Sequence, residues 1–91
     1  MQGKSDLTQG QECALTALGP DQTGQVIAVD AEDARGRRLL DLGFLPGTSL
    51  RVLRRAPLGD PVVYELRGYR VCLRREDAQR VRVRVDPVAA A

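Results

Sequence analysis

The chain contains no histidine and no tryptophan. Without an imidazole there is no histidine general base, no Ser-His-Asp or Cys-His nucleophile pair and no histidine metal ligand. Cysteine occurs twice, as Cys13 and Cys72, far apart and in no CxxC spacing. A disulfide framework and a four-cysteine zinc site are thereby excluded by count, and the two are read as reduced thiols of a cytoplasmic protein. Aromatic residues are reduced to Phe44, Tyr64 and Tyr69. That is too few for the aromatic groove a proline-rich peptide needs, or for the stacking platforms typical of single-strand nucleic-acid binders. No apolar run approaches the roughly 18–20 residues of a membrane span. The polar opening stretch, residues 1–12, lacks the apolar region of a secretory signal.

What remains is a 91-residue chain, 43% apolar and 29% charged, which suits one small folded domain and is too apolar for disorder. Residues 12–86 are read as that domain, with tails at 1–11 and 87–91. Charge is unevenly spread. Residues 1–50 hold four cations against seven acids, whereas residues 51–91 hold ten arginines against five acids. Such a bias suits an acidic or nucleic-acid partner, and equally the solvated exterior of a sheet.

Short periodic segments follow one another. Leu15 and Leu18 suit one helical turn, broken by Gly19-Pro20-Asp21. Gln25 to Val29 reads as a strand. Asp30 is placed to cap a helix of about ten to twelve residues at the N–H of Asp33, with Leu39 and Leu42 on its buried face and Gly43 at its end. Gly36 in its middle is expected to weaken it by about 1 kcal/mol. Pro46-Gly47 suits a type II turn. Ser49 to Ala56 is a strand whose alternation fails at Leu53, where a bulge would restore register. Val62 to Arg67 and Tyr69 to Arg74 alternate about an Arg67-Gly68 reversal, with Tyr64 and Tyr69 both facing inward. Arg75 to Ala78 is a polar turn, and Val81 to Val85 alternates strictly. About five short strands with one helix after the first strand predict a mainly β fold, a small SH3-like barrel that limits exposed edges.

Four motifs now stand in series: L-x-x-L at Leu15 to Leu18 with G-x-V at Gly24 to Val26; R-R-L-L-D-L-G-F-L-P-G-T from Arg37 to Thr48; R-R-A-P-L-G-D-P from Arg54 to Pro61; and R-G-Y-R-V-C-L-R-R-E-D-A from Arg67 to Ala78. In this order and spacing the chain resembles the FeoA family, ferrous iron transport protein A, from about Leu15 to Val85. The resemblance implies an SH3-like barrel and a cytoplasmic accessory protein of bacterial Fe²⁺ uptake. Its partner would be FeoB, a membrane permease with a cytosolic GTPase domain, through which the chain reaches the inner face of the membrane. The same fold ends the metal-dependent DtxR-type repressors. Where the family carries glycine before its first strand, this chain has Asp21, a residue that tolerates positive φ.

Candidate partner-binding residues fall into two groups. Leu45 and Leu58 put apolar side chains on loops, where rigid scaffolds commonly carry binding. Arg70, Arg74, Arg82 and Arg84 occupy outward strand positions, either as a solvated exterior built on long apolar stems or as a docking face for an acidic surface. Cys72 lies among those arginines and is expected to fill a semi-buried barrel position. Glu32-Asp33, Glu76-Asp77 and Asp41 show no metal-ligand spacing, so no catalytic, cofactor or tight metal site is predicted, and Fe²⁺ enters only through the transport system. The reading is a non-enzymatic interaction module. Its rival is a small nucleic-acid-binding or transcription-related barrel, favoured by the arginines and opposed by the scarcity of aromatics.

Overall fold

Valines at 81, 83 and 85 are all buried and the arginines between them all exposed. This two-residue period makes the last strand a wall of the core rather than an edge. In the computed structural model, which describes residues 10–86, the strands are β1 (Glu12–Ala14), β2 (Thr23–Val29), β3 (Ser49–Arg55), β4 (Val62–Leu66), β5 (Tyr69–Leu73) and β6 (Val81–Val85). A 3₁₀ turn spans Leu15–Ala17, and two helices, α1 (Ala34–Leu42) and α2 (Arg75–Ala78), complete the elements. All ladders are antiparallel, in the order β1-β6-β2-β3-β4-β5. The sheet coils around one core to which β2 through β6, the 3₁₀ turn, α1 and α2 all contribute. Among the described residues no ladder joins β1 to β5. The barrel is completed there by side chains, with α2 packed against both the 3₁₀ turn and α1.

The count of about five strands rises to six because β1 is present. Glu12, Cys13 and Ala14 carry no apolar alternation, so only their backbone pairing with Val83 and its neighbours reveals the strand. The helix therefore follows the second strand. Gly10 and Gln11, read as tail, bond to Val85: the Gly10 N–H donates to its carbonyl at 2.8 Å and the Val85 N–H donates to Gln11 at 2.9 Å. The remainder of the expected tails, residues 1–9 and 87–91, lies outside the described residues.

Several local expectations hold. Leu15 and Leu18 are both buried. The β3–β4 register shifts between Val52 and Arg54, so Leu53 is the bulge. Arg67 (φ 53°) and Gly68 (φ 86°) form a two-residue hairpin turn, and Asp21 takes a positive φ, 66°, as its side chain allows. Phe44, Val52, Tyr64 and Val83 fill the centre.

The helix start differs. The cap is Asp33, whose Oδ1 accepts from the Gly36 N–H at 3.0 Å, while Asp30 Oδ1 accepts from Glu32 at 3.3 Å. Asp30 is instead drawn to the sheet, its N–H donating to the Arg80 carbonyl at 2.9 Å. That leaves nine residues of helix, ended by Gly43 at φ 113°. Gly36 is no soft spot. A Cβ there would lie 2.5 Å from Ala31 Cα and 2.9 Å from Asp30 C, and closer still to the Asp30 carbonyl oxygen. The incoming chain crosses the first turn of α1 at a distance only glycine allows. Arg75–Ala78, expected as a polar turn, is one α-helical turn with Ala78 buried beneath it.

Candidate interaction surfaces

The arginines of the expected docking face are all exposed and stand on two strands that do not pair with each other. Arg70 and Arg74 belong to β5 and its exit. Arg82 and Arg84 belong to β6, and β2, β3 and β4 lie between those strands in the sheet. The reason is topological: β6 inserts between β1 and β2 rather than continuing from β5. Arg84 donates to Glu12 at 3.2 Å across the β1–β6 ladder. Arg82 borders a shallow concavity of about 590 Å³ together with Val29, Asp30 and Arg80.

Leu58 is 96% exposed and Leu45 40% exposed. They lie on loops at opposite ends of β3, whose seven residues span roughly 23 Å. Tyr69, expected inside, is 42% exposed. Its strand face is the inward one, but it starts β5 directly after the hairpin turn, beyond the core. The phenol instead lies over the end of α1, where its hydroxyl donates to the Leu42 carbonyl. Cys72, expected to be semi-buried, is exposed, because the outward set of β5 faces solvent rather than a second layer. Cys13 is half-buried, and burial pushes its thiol above the ordinary value, partly opposed by Arg82. Both thiols are free.

A feature that periodicity did not reveal is a groove of about 380 Å³ between α1 and β5. Tyr69 ties the end of α1 to the start of β5. At the other end Arg35 pairs with Asp77 at 3.0 Å and Glu76 at 3.6 Å on α2. The helix thus runs antiparallel beside the sheet edge without closing on it. Leu39 and Leu73 are buried at the base, and Arg38 and Arg74 are exposed at the rim. Only the strand order, which leaves β5 at an edge, exposes this groove.

The shortest ion pair among the described residues ties the start of α1 to the residue before β6. Arg80 donates to both carboxylate oxygens of Asp33, at 2.6 and 2.8 Å. That bond, together with the Gly36 N–H, lowers the Asp33 carboxyl to about 2. Among the described residues, no group of three or more His, Cys, Asp or Glu converges as a metal site. No helix among them is long and apolar enough to cross a membrane.

A small coiled sheet with an apolar core, exposed loops and one flanking helix defines an SH3-like domain. Comparison with known proteins narrows the class. Residues 13–85 match the family model described as the FeoA domain, and the chain belongs to that family. A fusion protein of Fe(2+) transport protein A and the Fe(2+) transporter FeoB from Porphyromonas gingivalis is 36% identical over 69 residues, 76% of this chain. The chain spans 8% of the length of that relative. The solution structure of a FeoA-like protein from Clostridium acetobutylicum superposes with a TM-score of 0.80 at 28% identity, covering 93% of this chain and 96% of the other. A zinc-complexed FeoA from Stenotrophomonas maltophilia, described as a prokaryotic SH3 domain protein, superposes with a TM-score of 0.68 at 34% identity, covering 76% and 86%.

Proposed function

We propose that this chain is a non-enzymatic accessory module of ferrous iron uptake, which docks on the cytosolic portion of a FeoB-like GTPase-permease. The observation that carries the reading is the fused relative, in which the matching domain and an Fe(2+) transporter share one polypeptide. Fusion supplies a high effective concentration between two parts. A separate chain doing the same work must reach its partner by affinity, from surfaces such as those above. Its place is the inner face of the membrane, held there by the partner.

Docking alters transport only if the module binds one state of the permease better than another. Fe²⁺ is then the transporter's cargo, and the module carries no tightly bound metal of its own. The test is binding of the purified chain to the cytosolic portion of the permease from the same genome, with GTP hydrolysis followed in parallel. Saturable binding with a changed hydrolysis rate is the expected result. Absence of binding at micromolar concentrations, or salt-sensitive binding to generic DNA and RNA in its place, would refute it.

A further inference from the structure

We infer that the groove between β5 and α1 takes an acidic, extended segment of a partner protein, which adds to β5 as a further strand. The source of the segment rests on the docking reading above. The groove itself is argued from this chain alone.

β5 ends the sheet order, so among the described residues one of its sides has no partner strand. The two-residue turn at Arg67-Gly68 makes Leu66 and Tyr69 a hydrogen-bonded pair. Tyr69, Val71 and Leu73 therefore spend their backbone groups on β4. Arg70 and Cys72 turn their N–H and C=O groups outward, toward the groove side. Four backbone groups are thus available over a strand of about 17 Å. α1 lies alongside, tied down at both ends, with Leu39 and Leu73 as an apolar base. An edge strand flanked by a helix across an apolar groove is the arrangement that receives extended peptides by strand addition.

Charge selects the occupant. Arg38, Arg70 and Arg74 make no ion pair among the described residues, whereas Arg35, Arg51, Arg80 and Arg84 each hold a carboxylate. Glu65 lies opposite Arg70 in the ladder, but its carboxylate bonds Arg51 at 3.0 Å. A second copy of this chain fits badly. Antiparallel pairing of two β5 edges about Cys72 would set Arg70 of one copy against Arg74 of the other, and pairing about Val71 would still place the two Arg70 side chains diagonally on one face, so like charges crowd in either register. An acidic strand meets the same positions with opposite charge.

The full chain is titrated with the blocked peptide Val-Glu-Val-Glu-Val and with Val-Lys-Val-Lys-Val, reading amide NMR shifts and the alkylation rate of Cys72 in a Cys13→Ser background. The acidic peptide is expected to shift the Arg70 and Cys72 amides and to slow Cys72 alkylation several-fold, while the basic peptide does neither. Arg38→Glu with Arg74→Glu should weaken acidic-peptide binding at least about tenfold. Cys72→Pro removes an outward donor without touching the β4 ladder and should abolish the binding. Equal response to both peptides, or none to either, overturns the inference. In a second arm the charge-reversed chain is compared with wild type for binding to the cytosolic portion of the permease. Weakened binding by the variant supports the groove as the docking site. Equal binding refutes the groove and leaves the docking reading standing. If wild type itself does not bind, the docking reading fails, and the peptide arm alone decides the groove.

Discussion

Gly36→Ala separates two opposed expectations. In an isolated helix the change stabilises by about 1 kcal/mol, because alanine surrenders less backbone freedom. Here the added Cβ meets the main chain of Asp30 and Ala31. No rotamer change relieves a clash with backbone. The crossing segment must lift, yet the Asp30 N–H is bonded to the Arg80 carbonyl and the Asp33 carboxylate to the Arg80 side chain. Overpacking of this kind costs about 1–3 kcal/mol, and the rigidity of the crossing points to the upper end. Setting the helix gain against it leaves a net loss of about 2 kcal/mol. For a domain of this size that lowers Tm by roughly 8–16 °C. Urea and thermal unfolding measure it, with faster exchange of the Asp30 amide as a local sign. Arg38→Gly, on the exposed side of the same helix, provides the control for propensity alone and should cost about 1 kcal/mol. A Gly36→Ala protein as stable as wild type, or more so, would refute the reasoning.

Other perturbations probe other terms. Thr48 is buried with no hydrogen-bond partner for its Oγ1, so Thr48→Val should leave the fold intact and raise stability by about 1 kcal/mol, read by urea unfolding. The Asp33 carboxyl is held at about 2 against an ordinary 3.8, so its contribution is fully present above pH 4 and is lost as pH falls through 2. The stability gap between wild type and Asp33→Asn should therefore close over that window in an acid titration. Burial raises the Tyr64 hydroxyl to about 12 from 10, with Arg55 opposing. Stability tied to it is present below pH 10 and lost as pH rises through 12, and Tyr64→Phe should flatten that alkaline limb. Leu58→Ser should change Tm by no more than measurement error, since the side chain touches almost nothing.

The parts of the fold legible in the sequence were those in which burial imposes a period. Val81 to Val85 alternates without a break, Val62 to Leu66 likewise, and Gly43 ends a helix in the left-handed conformation its position implied. Glu12–Ala14 escaped because three residues carry no apolar alternation, and the partners that hold them, Arg84 for Glu12 and the β6 backbone, lie about 70 positions away in sequence. Asp30 and Asp33 are chemically equal caps, and only the bond from Asp30 to Arg80, fifty positions on, decides between them. Gly36 could be judged only by propensity, because the chain that crosses it is invisible in one dimension. The candidate surfaces were legible as exposed residues, not as neighbours. Arg70 and Arg82 share a pattern in sequence but stand on strands that are not neighbours in the sheet. The β5–α1 groove depends wholly on that order.

The placement of β6 also governs when this domain can come into being. The final strand is the one that both β1 and β2 require, and Glu12 meets Arg84 across 72 positions of sequence. Closing so long a loop comes late and slowly compared with local hairpins. A nascent chain that reaches only to α2 therefore holds β2 on one side alone, against β3, and leaves β1 with no strand to pair with. The complete sheet can form only after Val85 has been made, so a chain cut before Val81 lacks the strand that joins β1 to β2.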